Sequence, residues 1–253
     1  MFADTHCHLC PGLDDGAKSL DEAIEMCRLA WNEGVRMAAV TGHQNPDWPL
    51  TPQQIIAGAS ELATELERIC CDLKLVPMGE VMLASNTLEE YREGKLLSIG
   101  NQNKYLLIEF PHNQFFDISS FVSDLVSLGV RPVLAHAERY PQLLHGGLMV
   151  DGLIRRGCVI QVSSAGIIDT RNREGHRAIR DWARRNVIHV VGSDAHSPRR
   201  RRPLMHGAYH QLANWTSESV ANAICWKNGV AVMNGRKIAI RPPQPVKRGW
   251  LRA

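Results

Sequence analysis

Two histidines, two cysteines and three aspartates fall within the fourteen residues Ala3–Gly16, ADTHCHLCPGLDDG. Imidazoles and carboxylates at that density are the donor set of a metal centre. Further candidates recur along the chain: His43 in TGH, Glu80 in PMGE, Glu109 in LLIEF, His136 in VLAH, and Asp194 with His196 in GSDAH. With His6, His8 and Asp15 they make five imidazoles and four carboxylates. Taken alone, each has a dull explanation, since a lone histidine is more often a hydrogen-bonded structural residue and a glutamate at a strand end is usually solvated. The argument rests on where all nine fall.

Short apolar or β-branched runs alternate with helical patterns. Phe2–His6, Val35–Thr41, Leu73–Gly79, Tyr105–Phe110, Arg131–Ala135, Val159–Val162 and His189–Gly192 read as strands. Ser19 and Glu22 form a capping box before Leu20, Ile24, Cys27 and Trp31, with Gly34 as the stop. Thr51, Pro52 and Gln54 open a second helix, whose apolar stripe runs through Ile55, Ala59, Leu62, Leu66 and Ile69. Further helices are predicted near Leu88–Glu93, Ile118–Leu128, Met149–Arg156, Gly175–Arg185 and Ser217–Asn228. This alternation predicts an α/β protein with a parallel sheet, closed or nearly closed into a barrel.

Active sites in such barrels are built at the carboxyl ends of the strands. His6 and His8 straddle the end of the first expected strand, and alternation puts both on one face. His43 lies just past the second, Glu80, Glu109 and His136 close the third to fifth, and Asp194 and His196 follow the seventh. Asp15 sits in the first loop. Donors from six of seven strands are therefore expected on one rim, which chance would not produce. Nine ligands accommodate two or three divalent ions, and a carboxylate such as Glu80 can bridge neighbouring cations. With no evident thiolate, the set suits manganese, with iron or zinc as alternatives.

Cys7 alternates away from His6 and His8, and Cys10 makes a C-x-x-C with no second pair to complete a zinc site. No cysteine is followed six residues later by arginine, which excludes the cysteine-nucleophile phosphatase loop. The seven cysteines, odd in number and irregularly spaced, read as reduced thiols of a cytoplasmic protein. Hydrophobic residues at 44% and charged residues at 22% indicate a soluble globular chain, and no apolar stretch approaches a membrane span. The net charge of +3 gives no case for a nucleic-acid partner, because the excess is local, in Arg199–Arg202 and in the VKRGWLRA end. We expect one domain over residues 1–240 and a basic, proline-rich, disordered tail over 241–253.

The segments DTHCHLCPGLDDG, TGH, GE, IEF, HAERY and HVVGSDAHSPRRRRP together resemble the polymerase-and-histidinol-phosphatase (PHP) superfamily. More closely they resemble its bacterial protein-tyrosine phosphatase branch, associated with capsule and exopolysaccharide operons. The resemblance runs from about Asp4 to about Gly235. It implies a distorted seven-stranded (β/α) barrel, TIM-like, with a trinuclear metal cluster. One ion would be held by His6, His8, Glu80 and Asp194, a second by Glu80, Glu109 and His136, and a third by Asp15, His43 and His196. Cys10 stands where an aliphatic residue is expected, and Ser163 where asparagine is frequent. The implied substrate is the phosphotyrosine tail of a bacterial tyrosine autokinase that controls polysaccharide export.

Phosphate-monoester hydrolysis needs a nucleophile and neutralisation of the phosphoryl oxygens. Here a metal-bound hydroxide is expected to attack phosphorus in line. Arg139 and Arg201 are the expected phosphate clamps, because a guanidinium matches the phosphate fork. Arg199, Arg200 and Arg202 are substitutes for Arg201. The rival readings are a phosphoesterase of a small metabolite such as histidinol phosphate or a nucleotide, a C–N bond hydrolase of the amidohydrolase type, and a non-catalytic assembly factor.

Overall fold

Seven parallel strands stand side by side in chain order: β1 (Phe2–Asp4), β2 (Val35–Gln44), β3 (Lys74–Met82), β4 (Tyr105–Glu109), β5 (Arg131–Leu134), β6 (Val159–Ser163) and β7 (Val190–Gly192). The structure is a computed structural model and describes residues 1–112, 114–144 and 147–245. Each strand pairs with the next, and among the described residues no β1–β7 ladder completes the ring. Residues 4–8 and 191–195 close it instead. Asp194 N–H donates to the His6 carbonyl (2.8 Å), His8 N–H to Ala195 (2.9 Å) and Thr5 N–H to Val191 (3.3 Å). The result is the nearly closed, TIM-like α/β barrel expected.

Period-two alternation divides the strand residues between two apolar layers. Met37, Ala39, Val76, Met78, Leu107 and Val133 pack inside the barrel. Their neighbours Ala38, Val40, Leu106, Ile108, Leu134 and Ile160 face the helices. Val232, Met233 and Ile238 plug the inner core from below, where the Tyr105 hydroxyl donates to the Arg236 carbonyl (3.0 Å). Continuing the inward series upward by twos reaches His43 on β2, Glu80 on β3, Glu109 on β4 and Gln161 on β6. The apolar floor and the polar mouth thus belong to one face of the same strands.

The expected helix starts form. Ser19 Oγ accepts from Glu22 N–H (3.2 Å) ahead of the helix Leu20–Asn32, although the Glu22 carboxylate takes Lys18 N–H (2.9 Å) instead of closing the box. Thr51 and Gln54 close theirs fully before Pro52–Arg68.

Several boundaries differ from the sequence reading. β1 stops at Asp4, so His6 lies beyond the strand, whereas β2 and β3 run on to Gln44 and Met82. His43 and Glu80 therefore sit inside strands, directly paired with each other. A donor on the inward face breaks the hydrophobic run but not the ladder, which is why the run ended too early. The helices Ser164–Ile168 and His206–Trp215 were not anticipated. The expected helix Ser217–Asn228 is split into Glu218–Asn222, a π-helical turn Ala223–Lys227 and Asn228–Met233. Of the expected tail, residues 246–253 lie outside the described residues. Gln244 exchanges two hydrogen bonds with Arg185, both 2.8 Å.

Closure also depends on Gly192, where an added Cβ would lie 2.4 Å from the His6 Cβ. Gly192→Ala should therefore push β7 from the His6 segment, costing about 1–3 kcal/mol of stability. A thermal melt together with metal content measures this, and an unchanged pair of values would contradict the packing argument.

Candidate metal centre

Left-handed backbone appears at two of the donors, His136 (φ 32°) and Asp194 (φ 54°). Such a conformation costs a side-chain-bearing residue about 1–3 kcal/mol and persists only where surroundings impose it. At His136 its effect is plain. Ala135 packs in the inner core, so simple alternation would send His136 outward. The left-handed turn returns the imidazole to the barrel mouth.

Glu80 is the centre of the cluster. Its Oε2 lies 3.2 Å from His6 Nε2, 3.3 Å from His8 Nε2 and 3.3 Å from His43 Nδ1, and its Oε1 lies 2.9 Å from His136 Nε2. Glu109 stands 3.6 Å from His136 Nε2 and 3.7 Å from His43 Nδ1. Asp194 Oδ1 is 3.6 Å from His6 Nε2. Asp15 Oδ1 lies 3.2 Å from His43 Nε2 and 3.4 Å from His196 Nε2. All nine sequence-selected donors thus meet in one mouth, and Asp15 is the exposed one. They form four overlapping sets close enough to share a cation: His6, His8, Asp194; His6, Glu80, His136; His43, Glu80, Glu109; and His8, Asp15, His43, His196. Compared with the implied partition, His8 also joins the Asp15 set and His43 also reaches Glu80 and Glu109.

Two further residues orient the ligands. Gln161 donates its amide to Thr5 (2.9 and 3.2 Å), which leaves Oε1 to accept from His6 Nδ1 at 3.0 Å. Asp14, a carboxylate and so an acceptor, takes the Nδ1 proton of His8 at 2.9 Å. In its neutral form each imidazole then presents a bare Nε2. The two face each other at 3.0 Å, both within reach of Glu80 Oε2. Lone pairs converging this way in a buried site repel unless positive charge lies among them. The donor set therefore fits divalent cations, with the outer partners fixing tautomer as metal sites require.

Sequence reasoning passed over Asp14 and Gln161, although the DDG pair and the inward position on β6 signalled them. It also missed Trp48, stacked on His43 with ring centroids 5.3 Å apart. Cys7 and Cys10 are buried in the layer between barrel and helices and enter none of the donor sets.

Arg139 and Arg201 both donate to Oδ2 of Asp194, at the edge of the mouth. Each arginine side chain remains nearly half exposed. The loop that carries Arg201 folds back on the cluster, its carbonyl accepting from His196 N–H (2.9 Å) and Ser197 N–H (3.1 Å). Arg199, Arg200 and Arg202 are exposed. Ser163 Oγ is held by Glu138 and caps Ser164–Ile168 through Gly166 N–H (3.0 Å).

The chain is also similar to known proteins. The model of the family described as "Capsular polysaccharide synthesis, CpsB/CapC" matches residues 2–234. The tyrosine-protein phosphatase CpsB of Streptococcus agalactiae serotype III is 28% identical over 93% of this chain and 99% of its own. The tyrosine-protein phosphatase YwqE of Bacillus subtilis is 28% identical over 97% of this chain and 96% of its own. A solved structure, from work on YwqE of Bacillus subtilis and CpsB of Streptococcus pneumoniae as unique metal-dependent tyrosine phosphatases, superposes with a TM-score of 0.90 at 27% identity. It covers 97% of this chain and 100% of that one.

Without a cation, protons supply the compensating charge. Burial disfavours charge on His8, but its hydrogen bonds to Asp14 and Glu80 outweigh this and lift the imidazole to about 10. Burial and the neighbouring charge of Glu80 raise Glu109 to about 9. Burial also pushes Asp194 up, but the charges of His6, Arg139, His136 and Arg201 outweigh it and hold that carboxyl below its usual range. Below those raised values His8 and Glu109 are protonated in the metal-free protein, so a metal must displace protons. Affinity should rise with pH across roughly 6 to 9, with proton release. Calorimetry in buffers of different ionisation enthalpy tests this, and a buffer-independent heat would contradict it. Asp14→Asn should weaken metal binding about 10- to 100-fold.

Proposed function

The chain belongs to the CpsB/CapC family of capsular polysaccharide synthesis, and from that premise we propose that it is a metal-dependent phosphatase of protein phosphotyrosine. The observation that carries the reading is the pair of facing Nε2 atoms of His6 and His8, 3.0 Å apart and both within reach of Glu80 Oε2. We assign His6, His8, Asp15, His43, Glu80, Glu109, His136, Asp194 and His196 as ligands of two or three divalent ions. Manganese is our first choice, because nitrogen and carboxylate donors without thiolate suit it, with iron or zinc as alternatives. Ions held there would activate water near neutral pH and neutralise the phosphoryl oxygens.

The chain's own groups do the rest. Arg139 and Arg201 converge on one oxygen of Asp194, which remains ionised in the mouth. A phosphoryl group arriving there offers the same fork of oxygens, so the two guanidiniums can bind and orient it. They also balance the charge that builds on the equatorial oxygens as the phosphoryl group transfers. Glu109 and His136 line the mouth beside Arg139.

The proposed substrate is the phosphotyrosine tail of a bacterial tyrosine autokinase, dephosphorylated in the cytoplasm. Exposed Arg199, Arg200 and Arg202 beside the mouth would attract a multiply phosphorylated peptide. Among the described residues no helix is long and apolar enough to cross a membrane.

Chelation should abolish hydrolysis of a phosphotyrosine peptide, and adding back Mn²⁺ should restore it. His6→Ala and Asp194→Asn should lose most bound metal and about 100-fold or more in turnover. Arg139→Ala should keep its metal and lose about 10- to 100-fold in kcat/KM, mostly through KM. Normal turnover by the His6 variant would sink the reading.

A further inference from the structure

β4 and β5 each deliver a cage donor and then, a few residues on, an aromatic residue followed by proline. Glu109 is followed by Phe110 and Pro111, and His136 by the short turn Ala137–Arg139 with Tyr140 and Pro141. The metal cluster accounts for Glu109 and His136. It does not account for the rings beside them.

Those rings form one cluster. The Phe110 centroid lies 4.7 Å from Phe115, and 4.8 Å from Tyr140 in an edge-to-face arrangement at 70°. Phe110 N–H also donates to the Tyr140 hydroxyl at 3.1 Å, which fixes Tyr140 against the end of β4. Phe110 is buried, whereas Phe115 and Tyr140 keep part of their surface open. That open surface borders a recess of about 440 Å³, with Glu109, His136 and Arg139 at one end and Phe115 and Tyr140 along it. The volume falls within the range of about 300–1,000 Å³ usual for small-ligand sites.

We propose that this recess is the aryl subsite: it holds the phenol ring of phosphotyrosine while the phosphoryl group lies at the cage, with Phe115 and Tyr140 as specificity-determining walls. The inference rests on the phosphatase reading above and deepens it. Three observations carry it. The recess is continuous with the cage, sharing two of its donors and the Arg139 guanidinium. Its walls offer ring edges and faces, which bind another ring better than an alkyl chain of similar length. And the donors are recessed, with His136 only 4% and Glu109 only 8% exposed. A phenol ring carries its phosphoryl group farther from the peptide backbone than the short side chain of serine or threonine does, which suits recessed donors.

A larger groove of about 740 Å³ opens on the other side of Arg139, towards Ser163, His176 and Arg200–Arg202. Among the described residues no Phe, Tyr or Trp lines it. It therefore lacks the ring surfaces by which aryl and alkyl phosphates are told apart.

The test uses two non-hydrolysable probes, phenylphosphonate and methylphosphonate, on the full chain loaded with zinc. Calorimetry should give phenylphosphonate about tenfold tighter binding than methylphosphonate. In Phe115→Ala the preference should shrink to about twofold or less, and in Phe115→Trp it should persist. Metal content and a thermal melt establish that each variant is folded. Independently of any variant, nuclear Overhauser contacts should run from the phenyl protons to the Phe115 and Tyr140 rings. Equal affinities for the two probes, an unchanged preference in Phe115→Ala, or no contact to those rings would each overturn the subsite. Turnover of a phosphotyrosine peptide separates the two claims. A chain that cleaves the peptide without preferring phenylphosphonate loses only the subsite. One that prefers phenylphosphonate but cleaves no peptide loses the proposed function.

Discussion

Nine lone-pair donors gathered in one barrel mouth, most of them out of water, are the constraint on which the rest of this structure depends. Buried imidazoles and carboxylates are tolerated only when paired, hydrogen-bonded or bound to positive charge. Here the outward nitrogens of His6 and His8 are already committed, to Gln161 and Asp14. Their inner nitrogens face Glu80 and, farther off, Asp194. The cage is thus built for cations, and protons are the substitute when cations are absent. The raised values of His8 and Glu109 express that competition directly.

The same residues close the barrel. Where a β1–β7 ladder would complete the ring, the Asp4–His8 segment is laced to residues 191–195, and those two stretches also carry His6, His8 and Asp194. Asp4 Oδ1 accepts from Ser193 N–H (2.7 Å) and His6 N–H (3.3 Å), tying the two strand ends together. Burial pushes its carboxyl up to about 6. Gly192 permits the close approach on which the lacing depends. Closure and ligand placement are therefore one set of interactions, so disturbing the seam disturbs the site.

Around the cage the mouth divides into unlike sides. The Asp194 edge carries two guanidiniums, which suit the doubly charged end of a phosphate ester. The Glu109 edge carries rings, which suit the other end of an aryl ester. Arg139 stands between them, lining both the groove and the recess. In the proposed function, phosphate and ring would be bound on the two sides of Arg139 by different atoms.

The sequence alone indicated the barrel through local periodicity, and the candidate donors through residue type at the expected strand ends. Alternation along β2, β3 and β4 carries the inward face from Met37, Val76 and Tyr105 up to His43, Glu80 and Glu109, and that pattern is visible without coordinates. It also placed Cys7 away from the site. Strand ends were less legible, since an inward donor resembles the end of a hydrophobic run while the ladder continues past it. Other features were decided only by tertiary structure. The left-handed turn that points His136 inward is set by a single backbone dihedral, and the partner Gln161 and the meeting of Arg139 with Arg201 on Asp194 depend on contacts between segments far apart in the chain. Period and residue type carry no information about either, because both are set by what the folded barrel brings within a few ångströms.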